Sequence, residues 1–225
     1  MPDVARPPFH SERPWLVETV AQPVISQDSD LPGYDQKVPD LSRRAELSKC
    51  FRNGKDRVDP AEVPDVVRLH GRKGRDFPDG FKVYDGILLV TGVVKAVIEG
   101  LDPGRHQFVP IHVTEEDGTP IEKDWHILVV THRQDTLVPE ASSDLRWNEP
   151  VHQVPGYYNY IHPEDIALDL ARLDGSHLWR ERQLQGGRTL FMSHALRTAL
   201  KDRGLRVLRQ HRTRAHLQGG HSGPT

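Results

Sequence analysis

The chain has 225 residues, with 30 Lys and Arg against 32 Asp and Glu, a formal net charge of -2, 36% hydrophobic and 28% charged residues, the proportions of a globular protein long enough to bury roughly 70% of its unfolded surface. Its longest purely aliphatic stretch, Ile87 to Val90, is far short of the ~20 apolar residues of a membrane span, and no signal-type apolar region follows Met1, so the expected address is the cytoplasm. A single cysteine, Cys50, excludes an intrachain disulfide and a multi-thiolate metal site, while 18 Gly and 18 Pro exclude a helical bundle.

In chain order, Met1 to Pro14 is rich in Pro and charge and is expected to be a poorly ordered lead-in. Within the same 1–25 segment, Trp15 to Val20 suits an edge strand. Residues 26–210 read as one α+β domain. In its first part Pro and Gly interrupt every pattern, yet Leu41 to Phe51 fits a short helix and Val63 to Leu69 a short strand broken at its start by Pro64. From Gly86 the signal sharpens. Ile87 to Val90 suits a strand buried on both faces, and Thr91 stands where a helix N-cap would be. Val93, Val94, Val97, Ile98 and Leu101 then form one helical stripe, which Asp102-Pro103-Gly104 ends. The chain runs extended from His106 to Val113, turns at Glu116-Asp117-Gly118 and returns from Trp125 to Thr131, the pattern of a β-hairpin.

Further along, Pro163 at a first-turn position, Glu164 and Asp165 behind it, and Ile166, Leu170 and Leu173 at helical spacing predict a helix ended by Asp174-Gly175. His177 to Arg182 reads as a strand and Gln185-Gly186-Gly187 as a turn. A second strand-helix unit follows: Leu190 to Met192 is the apolar run, Ser193 the N-cap, Ala195, Leu196, Ala199 and Leu200 the stripe, and Gly204 the stop. A shift of 102 residues places Thr91 on Ser193, Val94 on Leu196 and Ile98 on Leu200. The predicted class is therefore α+β, a mixed or antiparallel sheet with a few short helices and two related strand-helix units. Phe108, Trp125, Trp179 and Phe191 are expected in the core. After Gln210 the apolar period disappears, and residues 211–225 read as a mobile basic tail.

No reacting centre emerges. The pairs His106/His112 and His126/His132 share strand parity but lie on the order of 20 Å apart along their strands, and no HExxH is present, so no metal is expected. His162-Pro163-Glu164 matches the first half of the zinc nucleobase-deaminase signature, but the Pro-Cys-x-x-Cys half is missing and a helix start explains the three residues. Adjacent Ser193 and His194 lack a nucleophile elbow, and helix capping explains the serine. Asp35-Gln36-Lys37 lacks the strand of a nuclease site, and no glycine-rich phosphate loop occurs, so no cofactor is expected either. The charge is segregated. Residues 43–75 hold ten Lys/Arg against five Asp/Glu, residues 76–149 six against fourteen, and residues 188–225 eight against one. The basic end, with Arg197, Lys201, Arg203, Arg206, Arg209, Arg212 and Arg214, makes a nucleic-acid-associated regulator the alternative reading, although no recognition motif accompanies it.

The stretch from Gly86 to Leu101, GILLVTGVVKAVIEGL, followed by His106 to Pro110, HQFVP, resembles the middle of immunity protein family eleven of bacterial polymorphic toxin systems, formerly a domain of unknown function. There a strand runs into a Ser/Thr-started helix and then a Q-F-x-P strand. His177 to Arg180, the glycine-rich turn, and Leu190 to Leu205 resemble its closing segment, so the likeness covers about residues 80–210. The resemblance implies a non-enzymatic protein that binds and neutralises a cognate toxin, and it brings no contact residues with it. The acidic loops are the expected toxin-binding surface: Glu115, Glu116 and Asp117 at the hairpin tip, and Asp135, Glu140 and Asp144 in the connection after Thr131. An acidic surface would suit a toxin with a basic, nucleic-acid-cutting active site.

Overall fold

The computed structural model describes residues 15–18, 29–54, 56–71, 77–150, 156–160, 162–207 and 209–216. Along the chain lie β1 (Trp15–Glu18), β2 (Ser29–Asp30), α1 (Tyr34–Lys37), α2 (Leu41–Asn53), β3 (Val66–Leu69), β4 (Gly80–Lys82), β5 (Leu88–Thr91), α3 (Gly92–Leu101), β6 (Gln107–Pro110), β7 (His112–Thr114) and β8 (Trp125–Val129). There follow β9 (Arg133–Gln134), β10 (Arg146–Asn148), β11 (Tyr157–Asn159), β12 (Ala167–Asp169), β13 (Leu178–Glu181), β14 (Leu190–Met192), α4 (His194–Asp202), β15 (Arg209–Arg212) and β16 (Arg214–His216). The strands form a four-stranded sheet β4-β5-β8-β6, a five-stranded sheet β15-β1-β14-β13-β9, a three-stranded sheet β2-β3-β7 and two pairs, β10-β11 and β12-β16. This is the expected α+β class.

Side-chain parity explains the layering. In β5 and β8, Leu89, Ile127 and Val129 face one core with Leu47 and Phe51 of α2 and Val67 of β3, while Leu88, Val90 and Leu128 face another with Val94 and Ile98 of α3. In the five-stranded sheet, Leu178, Leu190 and Met192 join that second core with Leu196 and Leu200 of α4, and Trp179 and Phe191 turn to a third core with Leu137, Ile166 and Leu168. Strands β5, β8, β13 and β14 are therefore buried on both faces, and α3 and α4 form a layer between the two sheets. Burying each Leu, Ile or Val in these layers stabilises the fold by about 1.5–3 kcal/mol relative to leaving it exposed.

The two strand-helix units are related in three dimensions. The N–H of Thr91 donates to the Asp79 carbonyl at 2.9 Å, and that of Ser193 donates to the His177 carbonyl at 2.8 Å, so each helix starts from a strand hooked to the residue before its antiparallel neighbour. The caps differ: the Ser193 hydroxyl accepts from the Leu196 N–H at 3.1 Å, whereas Thr91 makes no side-chain cap and the Gly92 N–H donates to the Asp124 carbonyl at 2.7 Å. The units are also tied to each other. Asp102, buried at the end of α3, accepts from the His177 N–H at 2.8 Å and the Leu178 N–H at 2.8 Å. Asp79, ahead of β4, accepts from the Arg206 N–H at 2.8 Å beyond α4.

Four expectations need correction. Residues 163–173 do not form a helix but a 3-10 turn Pro163–Asp165, strand β12 and a second 3-10 turn Leu170–Arg172. Ile166, Ala167, Leu168 and Asp169 are all buried in succession, which a one-sided surface helix cannot provide and a strand enclosed on both faces can. The predicted hairpin is divided: β6 pairs antiparallel with β8, but β7 leaves it to pair parallel with β3, carrying Val113 into the first core. The strand at Trp15 lies inside its sheet, between β14 and β15, and not at an edge. Strand pairing also extends beyond Gln210, where a mobile tail was expected: Arg209–Arg212 pairs with β1 and Arg214–His216 with β12. The remainder of that segment, residues 217–225, and the lead-in to Pro14 lie outside the described residues.

Asp102 should carry much of the link between the units. Burial pushes its carboxyl up, but the His106 ring 3.6 Å away and the N–H groups of His177 and Leu178 outweigh burial and hold it below its ordinary value. Its contribution is thus present above the unfolded value and is lost as pH falls through the depressed folded one. Asp102→Asn should destabilise the protein by about 2–4 kcal/mol in urea unfolding at neutral pH. The gap from wild type should shrink as pH drops below about 4.

Candidate functional site

The acidic residues of the sequence reading fall into two sets. Glu115, Glu116 and Asp117 form the reversal after β7, where the Glu115 N–H donates to the Thr119 carbonyl at 2.8 Å and Asp117 accepts from the Thr119 N–H at 3.0 Å. Glu116 and Asp117 are exposed, and the Glu116 carboxylate lies 3.6 Å from His70 Nδ1 in the loop after β3. Asp135 follows β9 and pairs with Arg182 at 3.3 Å; Glu140 sits in the 3-10 turn Pro139–Ala141; Asp144 is exposed with φ 51°. The first set leaves the three-stranded sheet and the second follows the five-stranded sheet, so the structure keeps them on different parts of the fold. Close to the second set is Trp147 on β10, 46% exposed, its ring 4.8 Å from that of Tyr158. Gly156 packs beneath it, since a Cβ there would meet the indole.

Several buried polar groups among the described residues have structural partners. The histidine that meets Ser193 is His177, with Nδ1 2.7 Å from Oγ, and not the adjacent His194. That hydroxyl already caps α4, and Asp102 takes the backbone N–H of His177 instead of orienting its ring. Glu181, fully buried, accepts from the N–H and hydroxyl of Thr136, both at 2.7 Å; burial pushes its carboxyl up. It serves to join the segment after β9 to β13. His162 and Glu164 are exposed at a 3-10 turn, and Lys37 is paired with Asp65 at 2.6 Å. Among the described residues no group of three or more His, Cys, Asp or Glu is placed to hold a metal ion, and no helix is long and apolar enough to cross a membrane.

Sequence reasoning missed a cleft of about 330 Å³ lined by Arg52, Lys82, Arg180 and Arg188, with Thr189 and Gln185 beside them. Arg180 is 3% exposed. Among the described residues no carboxylate pairs with its guanidinium, which is held by three backbone carbonyls, those of Phe51 at 3.1 Å, Val130 at 3.3 Å and Arg188 at 3.1 Å. Burial, then the charge of Arg133, lowers it to about 9. Burial also pushes Lys82 down, and the other charges acting on it, from Arg180, Arg188 and Arg52, are all positive. These cations come from α2, β4, β13 and the turn before β14, so no local spacing brings them together. The one local hint is a charged pair, Arg180-Glu181, ending an otherwise apolar strand after Leu178 and Trp179.

The family model described as "Immunity protein family (Imm11)" matches residues 13–213, a wider span than the 80–210 in which the sequence motifs are visible. No curated protein matches the chain.

The Arg180 arrangement depends on Gly54, the left-handed residue ending α2. A Cβ there would overlap the Val130 carbonyl oxygen and lie 2.8 Å from Arg180 Nε. Gly104 also has positive φ, but nothing lies within 4 Å of its added Cβ. Gly104→Ala should therefore cost about 1 kcal/mol, from backbone strain alone. Gly54→Ala should cost more than about 2 kcal/mol, and chemical unfolding of the two variants side by side measures the difference.

Proposed function

The chain belongs to the Imm11 immunity protein family, and we propose from that membership that it neutralises a cognate bacterial toxin by binding and covering it in the cytoplasm, without turning over a substrate. The match over residues 13–213 is the observation that carries this reading. A neutralising complex needs charge-guided encounter and a few well-packed anchors. The exposed acids at Glu116 and Asp117 supply the first; Trp147, three residues after Asp144 and backed by Tyr158, supplies the second. Asp135, Glu140 and Asp144, in the connection that leads to that anchor, add further acidic character. The rival nucleic-acid reading has less support: of its basic side chains, Arg203 donates to the Ala199 carbonyl at 3.1 Å and Arg206 to the Phe77 carbonyl at 3.4 Å, so part of that charge is engaged within the fold.

Co-expression with the toxin encoded by the neighbouring gene should restore growth. With purified partners, reversing Glu115, Glu116 and Asp117 to Lys should slow association about tenfold at low salt and change dissociation little. Trp147→Ala should instead speed dissociation, as should reversal of Asp135, Glu140 and Asp144. Unchanged kinetics in all three variants would remove this surface from the interface, and failure to restore growth would remove the toxin reading itself.

A further inference from the structure

We infer that the cleft between α2, β4 and β13 is a binding site for a small phosphorylated molecule. The walls present Lys82, Arg180 and Arg188, with Arg52, engaged by Ser48 at 2.6 Å, beside them, and among the described residues the lining holds no Asp or Glu. Cations brought this close repel one another, and burying a guanidinium without an acid has a desolvation cost, so an arrangement of this kind is most stable when an anion completes it. The fold holds Arg180 in place through three carbonyls of distant segments, and among the described residues no carboxylate pairs with it. Glycines make room for the flanking cations: a Cβ at Gly54 would reach 2.8 Å from Arg180 Nε, and one at Gly86 would collide with the Arg52 side chain. Thr189 is 3% exposed, lines the cleft, and its hydroxyl has no hydrogen-bond partner among the described residues.

Several positive groups around one space match a multiply charged phosphate better than a single carboxylate, and guanidinium forks fit its oxygens. The volume, about 330 Å³, exceeds what inorganic phosphate fills and lies within the range of small-ligand sites. Leu88 and Leu190 also line the cleft, giving apolar surface for an organic portion. An anion here would oppose the downward shift that burial and repulsion impose on Lys82 and Arg180.

The test is calorimetric titration of the purified full-length chain with pyrophosphate, ADP, adenosine and citrate at physiological salt. It requires no toxin, so its failure leaves the toxin reading standing. Pyrophosphate and ADP should bind, adenosine should not, and citrate should bind at least tenfold more weakly. Lys82→Gln should weaken binding about tenfold, and Lys82→Gln with Arg188→Gln should abolish it. These residues are not fully buried, and thermal unfolding checks that the variants fold. In alkaline buffers of different ionisation enthalpy, binding by wild type should be accompanied by proton uptake. Tighter binding of ADP than of pyrophosphate would identify a nucleotide-like ligand, and equal binding a free phosphate species. Absence of pyrophosphate and ADP binding, unchanged affinity in the double variant, or preference for citrate would overturn the assignment.

Discussion

A buried carboxylate joins the two halves of this protein. Asp102 ends the helix of the first strand-helix unit and receives the N–H groups that open the strand pair of the second. Asp79 and Arg206 make the corresponding tie in the opposite sense. Between these ties lies the α3–α4 layer, enclosed by a sheet on each side. The constraint is geometric as well as electrostatic. Strands β5, β8, β13 and β14 are covered on both faces, so a slip of one residue in β5 or β14 would exchange the helix-facing Leu88 and Val90, or Leu190 and Met192, with residues that belong to another core. The carboxylate at Asp102 holds the start of β13 at its N–H groups, and the antiparallel pairing of β13 with β14 transmits that position to the second unit.

The same packing carries Arg180 to its place. By parity it lies on the side of β13 opposite Trp179, and at the end of the helix layer its side chain crosses to the terminus of α2 and the end of β8. A hydrophobic residue in that position would avoid the desolvation of a guanidinium. Retaining charge there, with Lys82, Arg52 and Arg188 around it, gives the cleft a potential that acidic loops elsewhere on the surface do not share. The protein thus has two electrostatic regions of opposite sign.

The parts of the fold legible in sequence are those whose local pattern and final burial agree. α2 emerges almost where expected, as do α3 and α4, and the repeated unit survives as matched backbone ties at Thr91 and Ser193. The 163–173 segment misleads because Pro163 followed by acids starts a 3-10 turn as readily as an α-helix, and the enclosure of Ala167–Asp169 is decided by β16, distant in sequence. The position of β7 is equally non-local, set by β3. At the surface, the acidic turn after β7 was readable from Glu116-Asp117-Gly118. The cationic cleft was not, because its residues come from a helix, two strands and a turn far apart in the chain and meet only when these elements pack.

Strand β1, near the beginning of the chain, fills the gap between β14 and β15, near its end. During synthesis, the five-stranded sheet therefore cannot close until the segment through Arg212 has emerged from the ribosome, and the nascent chain must wait with one of its inner strands unpaired. Closure by such distant segments makes folding of this sheet a late event rather than a progressive one. A nascent chain stopped before Arg212 would then be a substrate for proteases.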